Sequence, residues 1–148
     1  MGSRVRLQGR AVPRVNLFVD TSVWSLALRR DERSDEPSVE RLREALGSGE
    51  AVFTTGLVLQ ELLQGFNGPK ARAALLDRFS ALPLLVPDRE DHVAAAELRN
   101  LCRRRGIQIG TIDALLARLC SRHGLVMLTT DRDFQLMAPH ARLTVWSP

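Results

Sequence analysis

Apolar runs and helical spacings alternate along the chain. Leu17, Phe18 and Val19 form a short apolar run that stops at Asp20-Thr21-Ser22, which predicts a buried strand followed by a helix N-cap. Val23 to Arg30 then continues as helix, and the charged stretch 30–37 reads as a solvent-facing loop ended by Pro37. Val39, Leu42, Ala45 and Leu46 recur at helical spacing up to the Gly-Ser-Gly at 47–49. AVFTT at 51–55 is the next strand, and Leu57 to Phe66 a helix carrying Glu61. A helix from Pro69 to Ala81 leads into the apolar LPLLVP at 82–87. The spacing predicts two further helices, Arg89 to Gly106 and Thr111 to His123, the second closed by Gly124. LVMLTT, a short helix around TTDRDFQLM and a last strand, ARLTVW at 141–146, complete the chain. Strands alternating with helices predict an α/β domain with a mostly parallel sheet of about five strands covered on both faces.

At 148 residues with 45% hydrophobic content, the chain is sized for one ordinary domain. No stretch approaches the roughly 18 apolar residues of a membrane span, and the first 14 residues lack the apolar middle of a secretory signal, so a cytoplasmic protein is expected. Cys102 and Cys120 have no close partner in sequence that would suggest zinc, and read as reduced, buried or half-buried thiols. The net charge of +4 and the pI of 10.3 rest on arginine, since Lys70 is the only lysine. Arginine suits phosphate contact, although a genome-wide preference for Arg over Lys would give the same count.

Four acids occupy special places in this pattern. Asp20 and Asp131 each follow an apolar strand directly, and in a parallel sheet all strand C-termini lie on one edge. Glu61 and Asp113 interrupt apolar helical runs, VLQELLQG and GTIDALLARL, where an uncompensated carboxylate is costly. Each has an ordinary structural explanation: a cap for Asp20 or Asp131, a helix-dipole partner for Asp113, an exposed face for Glu61, a turn for Asp133. Their joint placement at one sheet edge instead implies a single acidic pocket. Clustered carboxylates repel one another unless a cation joins them, and oxygen-only donors favour Mg2+, with Mn2+ next. Carboxylate-held Mg2+ acts mainly on phosphates, and Thr21, Ser22 and Thr130 are placed to support the acids.

VDTSVW, QELLQG, GTIDALLA and TTDRDF, in this order, resemble the four acidic motifs of the PIN-domain ribonucleases, specifically the VapC toxins of bacterial toxin–antitoxin pairs. The resemblance spans about Val15 to Trp146. It implies a three-layer α/β/α fold with a parallel sheet ordered 3-2-1-4-5, an Mg2+-dependent endoribonuclease activity, and Asp20, Glu61, Asp113 and Asp131 as metal-binding catalytic acids, with Asp133 as an additional one. It further implies an RNA substrate, a homodimer, and a cognate VapB-type antitoxin whose C-terminal segment wraps the toxin.

Residues 1–14 lie outside the resemblance and read as a flexible, basic N-terminal extension with four arginines and no acid, ahead of a PIN domain over 15–148. Arg103, Arg104, Arg105 and Arg132 are candidates for RNA contact, with dipole compensation as the competing role for the first three. Trp24 reads as a core or interface anchor rather than a base-stacking platform, and His92, His123 and His140 as surface or capping residues. A catalytically inactive PIN fold acting as an RNA- or protein-binding scaffold is the alternative, and the presence of all four acids argues against it. An aspartyl-phosphate enzyme or receiver is excluded, because LFVDTS has no second aspartate two residues on and Lys70 is far from any strand end.

Overall fold

A computed structural model describes residues 15–29 and 34–148. The expected basic extension over 1–14 and part of the charged loop at 30–37 therefore lie outside the described residues. Five strands, β1 (Leu17–Val19), β2 (Val52–Thr55), β3 (Leu84–Leu85), β4 (Val126–Leu128) and β5 (Thr144–Val145), form one sheet in the order β3-β2-β1-β4-β5. Every pairing is parallel. The expected order is thus the observed one, and β1 is its centre.

The centre is also the driest part. Leu17, Phe18 and Val19 are fully buried, as a strand covered on both faces requires. The helices among the described residues are α1 (Thr21–Leu28), α2 (Pro37–Ser48), α3 (Gly56–Gly65), α4 (Pro69–Ser80), α5 (Arg89–Arg104), α6 (Thr111–His123) and α7 (Arg132–Ala141). They pack as two groups, α1 to α4 on one hand and α5 to α7 on the other, with the sheet between. Pro37 and Pro69 stand at helix starts, where a missing N–H costs nothing, and Gly49 and Gly124 end α2 and α6 in the left-handed conformation.

Two strands are shorter than the apolar runs that announce them. LPLLVP yields only Leu84–Leu85 and ARLTVW only Thr144–Val145. Both are edge strands, hydrogen-bonded on one side only, and Pro83 and Pro87 supply no ladder donor. Trp24 is a core residue, 1% exposed, with its ring 4.9 Å from that of Phe79. Cys102 and Cys120 are free, buried thiols as expected.

The α5–α6 pair is held by a buried charge cluster. Asp91, wholly buried, closes a capping box with Asp88 and accepts hydrogen bonds from Arg118 Nε (3.1 Å) and an Nη of Arg122 (2.7 Å) on α6. Burial pulls the Asp91 carboxyl upward, but the Asp88 N–H and the two guanidinium groups outweigh it and hold it down at about 2. Because α6 carries Asp113 in its first turn, this anchor fixes the helix that delivers an acid to the sheet edge.

Candidate functional site

Register decides what meets Asp20. Parallel pairing sets Val19 beside Leu128, and the Asp20 N–H donates to the Leu128 carbonyl at 2.9 Å. The next residue along the β4 exit is Thr129, whose hydroxyl donates to Asp20 Oδ2 at 2.9 Å. The Ser22 hydroxyl donates to the same oxygen at 2.8 Å. Both hydroxyls are themselves polarised: Ser22 Oγ accepts the Thr130 N–H (3.1 Å) and Thr129 Oγ1 accepts the Asp131 N–H (3.0 Å). Asp20 has the backbone of an N-cap residue, yet its carboxylate makes no cap bond to α1. The structural explanation for an acid at this position therefore fails. The side chain, 7% exposed, is held by hydroxyls, with no cation paired to it among the described residues.

The supporting hydroxyls are not all those expected. Ser22 takes its expected place. Thr130 is exposed and contributes only its backbone N–H, and Thr129 holds Asp20 instead. Thr21 Oγ1 is buried without a hydrogen-bond partner among the described residues, because successive helical side chains diverge by about 100° and only Ser22 turns back to Asp20.

Asp131 and Asp133 sit at the start of α7. Asp131 is both cap and candidate ligand, since its Oδ1 accepts the Asp133 N–H at 2.9 Å. Asp113 comes from the first turn of α6 opposite, its Oδ2 lying 3.6 Å from where a Cβ on Gly110 would stand. Carboxylate oxygens of Asp113, Asp131 and Asp133 all lie within 4.8 Å of one another. Asp20 and Glu61 stand outside this tight triad but act on it. Burial raises the Asp113 carboxyl first, then the charges of Asp20, Asp131, Asp133 and, least, Glu61 raise it further, to about 6. Asp133, expected as an additional acid, thus belongs to the tight triad, and Glu61 bears on Asp113 least of the four neighbouring acids.

The donor set fits a hard divalent ion, because it is all carboxylate oxygen, half-buried and uncompensated among the described residues. Of the arginines, Arg132 is exposed at the start of α7, between Asp131 and Asp133. Arg103 lines a cavity of about 420 Å³ that reaches Gly110, Arg104 lines another between α5, α6 and α7, and Arg105 is exposed. His92 and His123 are exposed and His140 half-buried, none of them among the acids.

Residues 17–138 match the PIN-domain family model. Two mycobacterial proteins, a VapC ribonuclease of Mycobacterium bovis and the ribonuclease VapC11 of Mycobacterium tuberculosis, are each 30% identical over 124 residues, covering 82% of this chain and 91% of theirs. The chain is a PIN domain of the VapC family. Its fold is shared by VapBC2 from Rickettsia felis, solved bound to a DNA fragment from their promoter, at a TM-score of 0.69 and 20% identity over 89% of this chain and 98% of that one. Mycobacterium tuberculosis VapC20, described as a Sarcin-Ricin loop cleaving toxin, gives a TM-score of 0.64 and 21% identity over 90% of this chain and 100% of that chain. No helix among the described residues is long and apolar enough to cross a membrane.

Proposed function

We propose that this PIN domain is a divalent-metal-dependent endoribonuclease, the toxin of a VapBC-type pair. The observation that carries this reading is the convergence of the Asp113, Asp131 and Asp133 carboxylates within 4.8 Å of one another, with no basic side chain paired to them among the described residues. Burial and then the charges of its neighbours raise the Asp113 carboxyl, a penalty at neutral pH that a bound divalent cation would relieve. The names of the mycobacterial relatives support ribonuclease activity, and the solved VapBC assemblies support a VapB-type partner.

In this reading Asp113, Asp131 and Asp133 hold Mg2+ or Mn2+, Asp20 supports the ion from the β1 edge, and Glu61 adds negative potential from α3. When bound, the ion supplies Lewis acidity, orienting a water for attack on the scissile phosphate and offsetting charge on the leaving oxygen. Ser22 and Thr129 keep Asp20 in one rotamer without neutralising it. Asp113 carries a proton below about pH 6 and releases it above, when it becomes a competent ligand. No side chain here acts as a nucleophile. The site reads phosphate and metal, so base preference must come from surfaces around it. A homodimer and cytoplasmic action complete the proposal by family resemblance.

The test is sequencing of RNA 5′ ends after expression of wild type and of Asp20→Ala. Cleavage sites unique to wild type are expected. The same end profile in both would leave a binding scaffold as the better description.

A further inference from the structure

The cavity of about 420 Å³ beside the acids has no role so far. It is lined by Arg99, Arg103, Ile107, Gln108, Ile109 and Gly110. Arg99 and Arg103 are one helical turn apart on α5, so their side chains share a face. Arg99 is positioned by its Nε, which donates to the Ile109 carbonyl at 3.0 Å, leaving its Nη groups without a partner among the described residues. Arg103 has no hydrogen bond or ion pair among them. Gly110 forms the cavity's wall on one side and abuts the Asp113 carboxylate on the other. Two guanidinium groups thus open onto a cleft one residue away from the acidic triad and leave the triad uncompensated.

The geometry points to a phosphate-binding subsite: Arg99 and Arg103 grip an RNA backbone phosphate flanking the one presented to the acids. The subsite rests on the ribonuclease reading and adds to it the path of the strand, from the acids past Gly110 toward the end of α5. A guanidinium fork fits phosphate oxygens with two donors, and preorientation of Arg99 through Nε reduces the ordering cost. Gly110 links the two subsites, since it lines the cleft and a Cβ built on it would meet only the Asp113 carboxylate, at 3.6 Å. The run of three arginines is thereby divided. Arg103 belongs to this cleft, Arg104 faces a separate cavity with Glu97 and Arg118, and Arg105 lines neither.

Binding of a fluorescent single-stranded RNA oligonucleotide, read by anisotropy over a salt series in Ca2+, tests the subsite without requiring cleavage. Arg99→Gln and Arg103→Gln should each weaken binding about tenfold and flatten the logarithmic salt dependence by roughly 0.7, the value of one phosphate contact on a single strand. Arg72→Gln on α4 removes the same charge elsewhere and should leave the slope unchanged. The Arg103 side chain makes no hydrogen bond or ion pair among the described residues, so its variant remains informative even if loss of the Arg99 bond to Ile109 perturbs the loop. Slopes for Arg103→Gln that match Arg72→Gln would overturn the subsite. So would unchanged RNA affinity combined with weakened binding of a polyglutamate peptide, which would mark the cleft as a dock for an acidic protein segment. The ribonuclease reading stands or falls separately, on the comparison of wild-type and Asp20→Ala cleavage.

Discussion

Replacing Asp113 by Asn should make the metal-free protein more stable, by an amount that grows from about pH 4 and is complete above about pH 6. The Asp113 carboxyl is raised from 3.8 to about 6 by burial and by four like charges. A group held more tightly protonated in the folded state adds stability below its unfolded value, and that contribution is lost as pH rises through the folded value. Wild type should therefore lose stability between about pH 4 and pH 6 while Asp113→Asn, which cannot ionise, does not. Two pK units correspond to about 3 kcal/mol, and because Asp113 is only half-buried, screening from its open side brings the expected difference at pH 8 to between about 1 and 3 kcal/mol. For a chain of this size that is roughly 3 to 9 °C in Tm. Thermal melts in EDTA at pH 8 and pH 4.5 measure it directly. The variant should melt higher at pH 8, with only about a third of that difference left at pH 4.5, and millimolar Mn2+ should raise only wild type appreciably. A variant that melts lower by the same amount at both pH values would refute mutual repulsion at this edge, and with it the case for a cation.

Three further outcomes follow from the same structure. Asp91→Ala should cost about 2 to 4 kcal/mol in denaturant melts at pH 7, since two guanidinium partners and a capping box are lost together. Because the Asp91 carboxyl is held down at about 2 from 3.8, this advantage of wild type should be present above pH 4 and fade as pH falls toward 2. Thr129→Val should slow cleavage of an RNA oligonucleotide by roughly 10- to 100-fold, while Thr130→Val stays within about twofold; equal effects would mean that the Asp20 hydrogen bond is unimportant. Cys102 and Cys120 should resist a thiol-labelling reagent at pH 8 until the protein is denatured, because burial pushes both thiols up, with the Asp20 charge adding to the effect at Cys120.

The alternation of strands and helices, most helix boundaries to within about two residues and the acids themselves were legible in the sequence, while the sheet order came from the resemblance to PIN domains and α7 runs four residues past the stretch that announced it. Apolar periodicity and end signals such as Pro37, Pro69 and Gly124 are local properties of the chain. What was not legible depends on register and on distance along the chain. Thr129 and Thr130 are equivalent as letters, and only the pairing of Val19 with Leu128 puts the first beside Asp20. Extended-chain alternation offered one clue, since Thr129 and Asp131 fall on the same side of the strand exit. Nothing local marks Asp91 among the first-turn acids of α5, because its partners Arg118 and Arg122 lie 27 and 31 positions on. Arg99 was hidden within a helix whose basic end drew attention to the three arginines after it, although helical spacing from Arg103 would have selected it.

The two ends of the α5–α6 pair treat the same residue types in opposite ways. At the end where α5 begins, Asp91 is buried and doubly paired with arginine, and its carboxyl sits near 2. At the end where α6 begins, Asp113 has no arginine partner and its carboxyl sits near 6, although Arg99 and Arg103 line a cleft that Gly110 separates from it. An arginine bonded to Asp113 would lower that value and strengthen the fold, but it would also fill the place of a metal ion and neutralise its ligands. Tethering Arg99 to the Ile109 carbonyl avoids this, since the bond directs the guanidinium to the loop backbone. Asp20 follows the same logic, because neutral hydroxyls fix its rotamer where a cation would have cancelled its charge. Paired charge secures the helix pair at one end, and unpaired charge of both signs stands at the other, as the proposed cation site and phosphate subsite require.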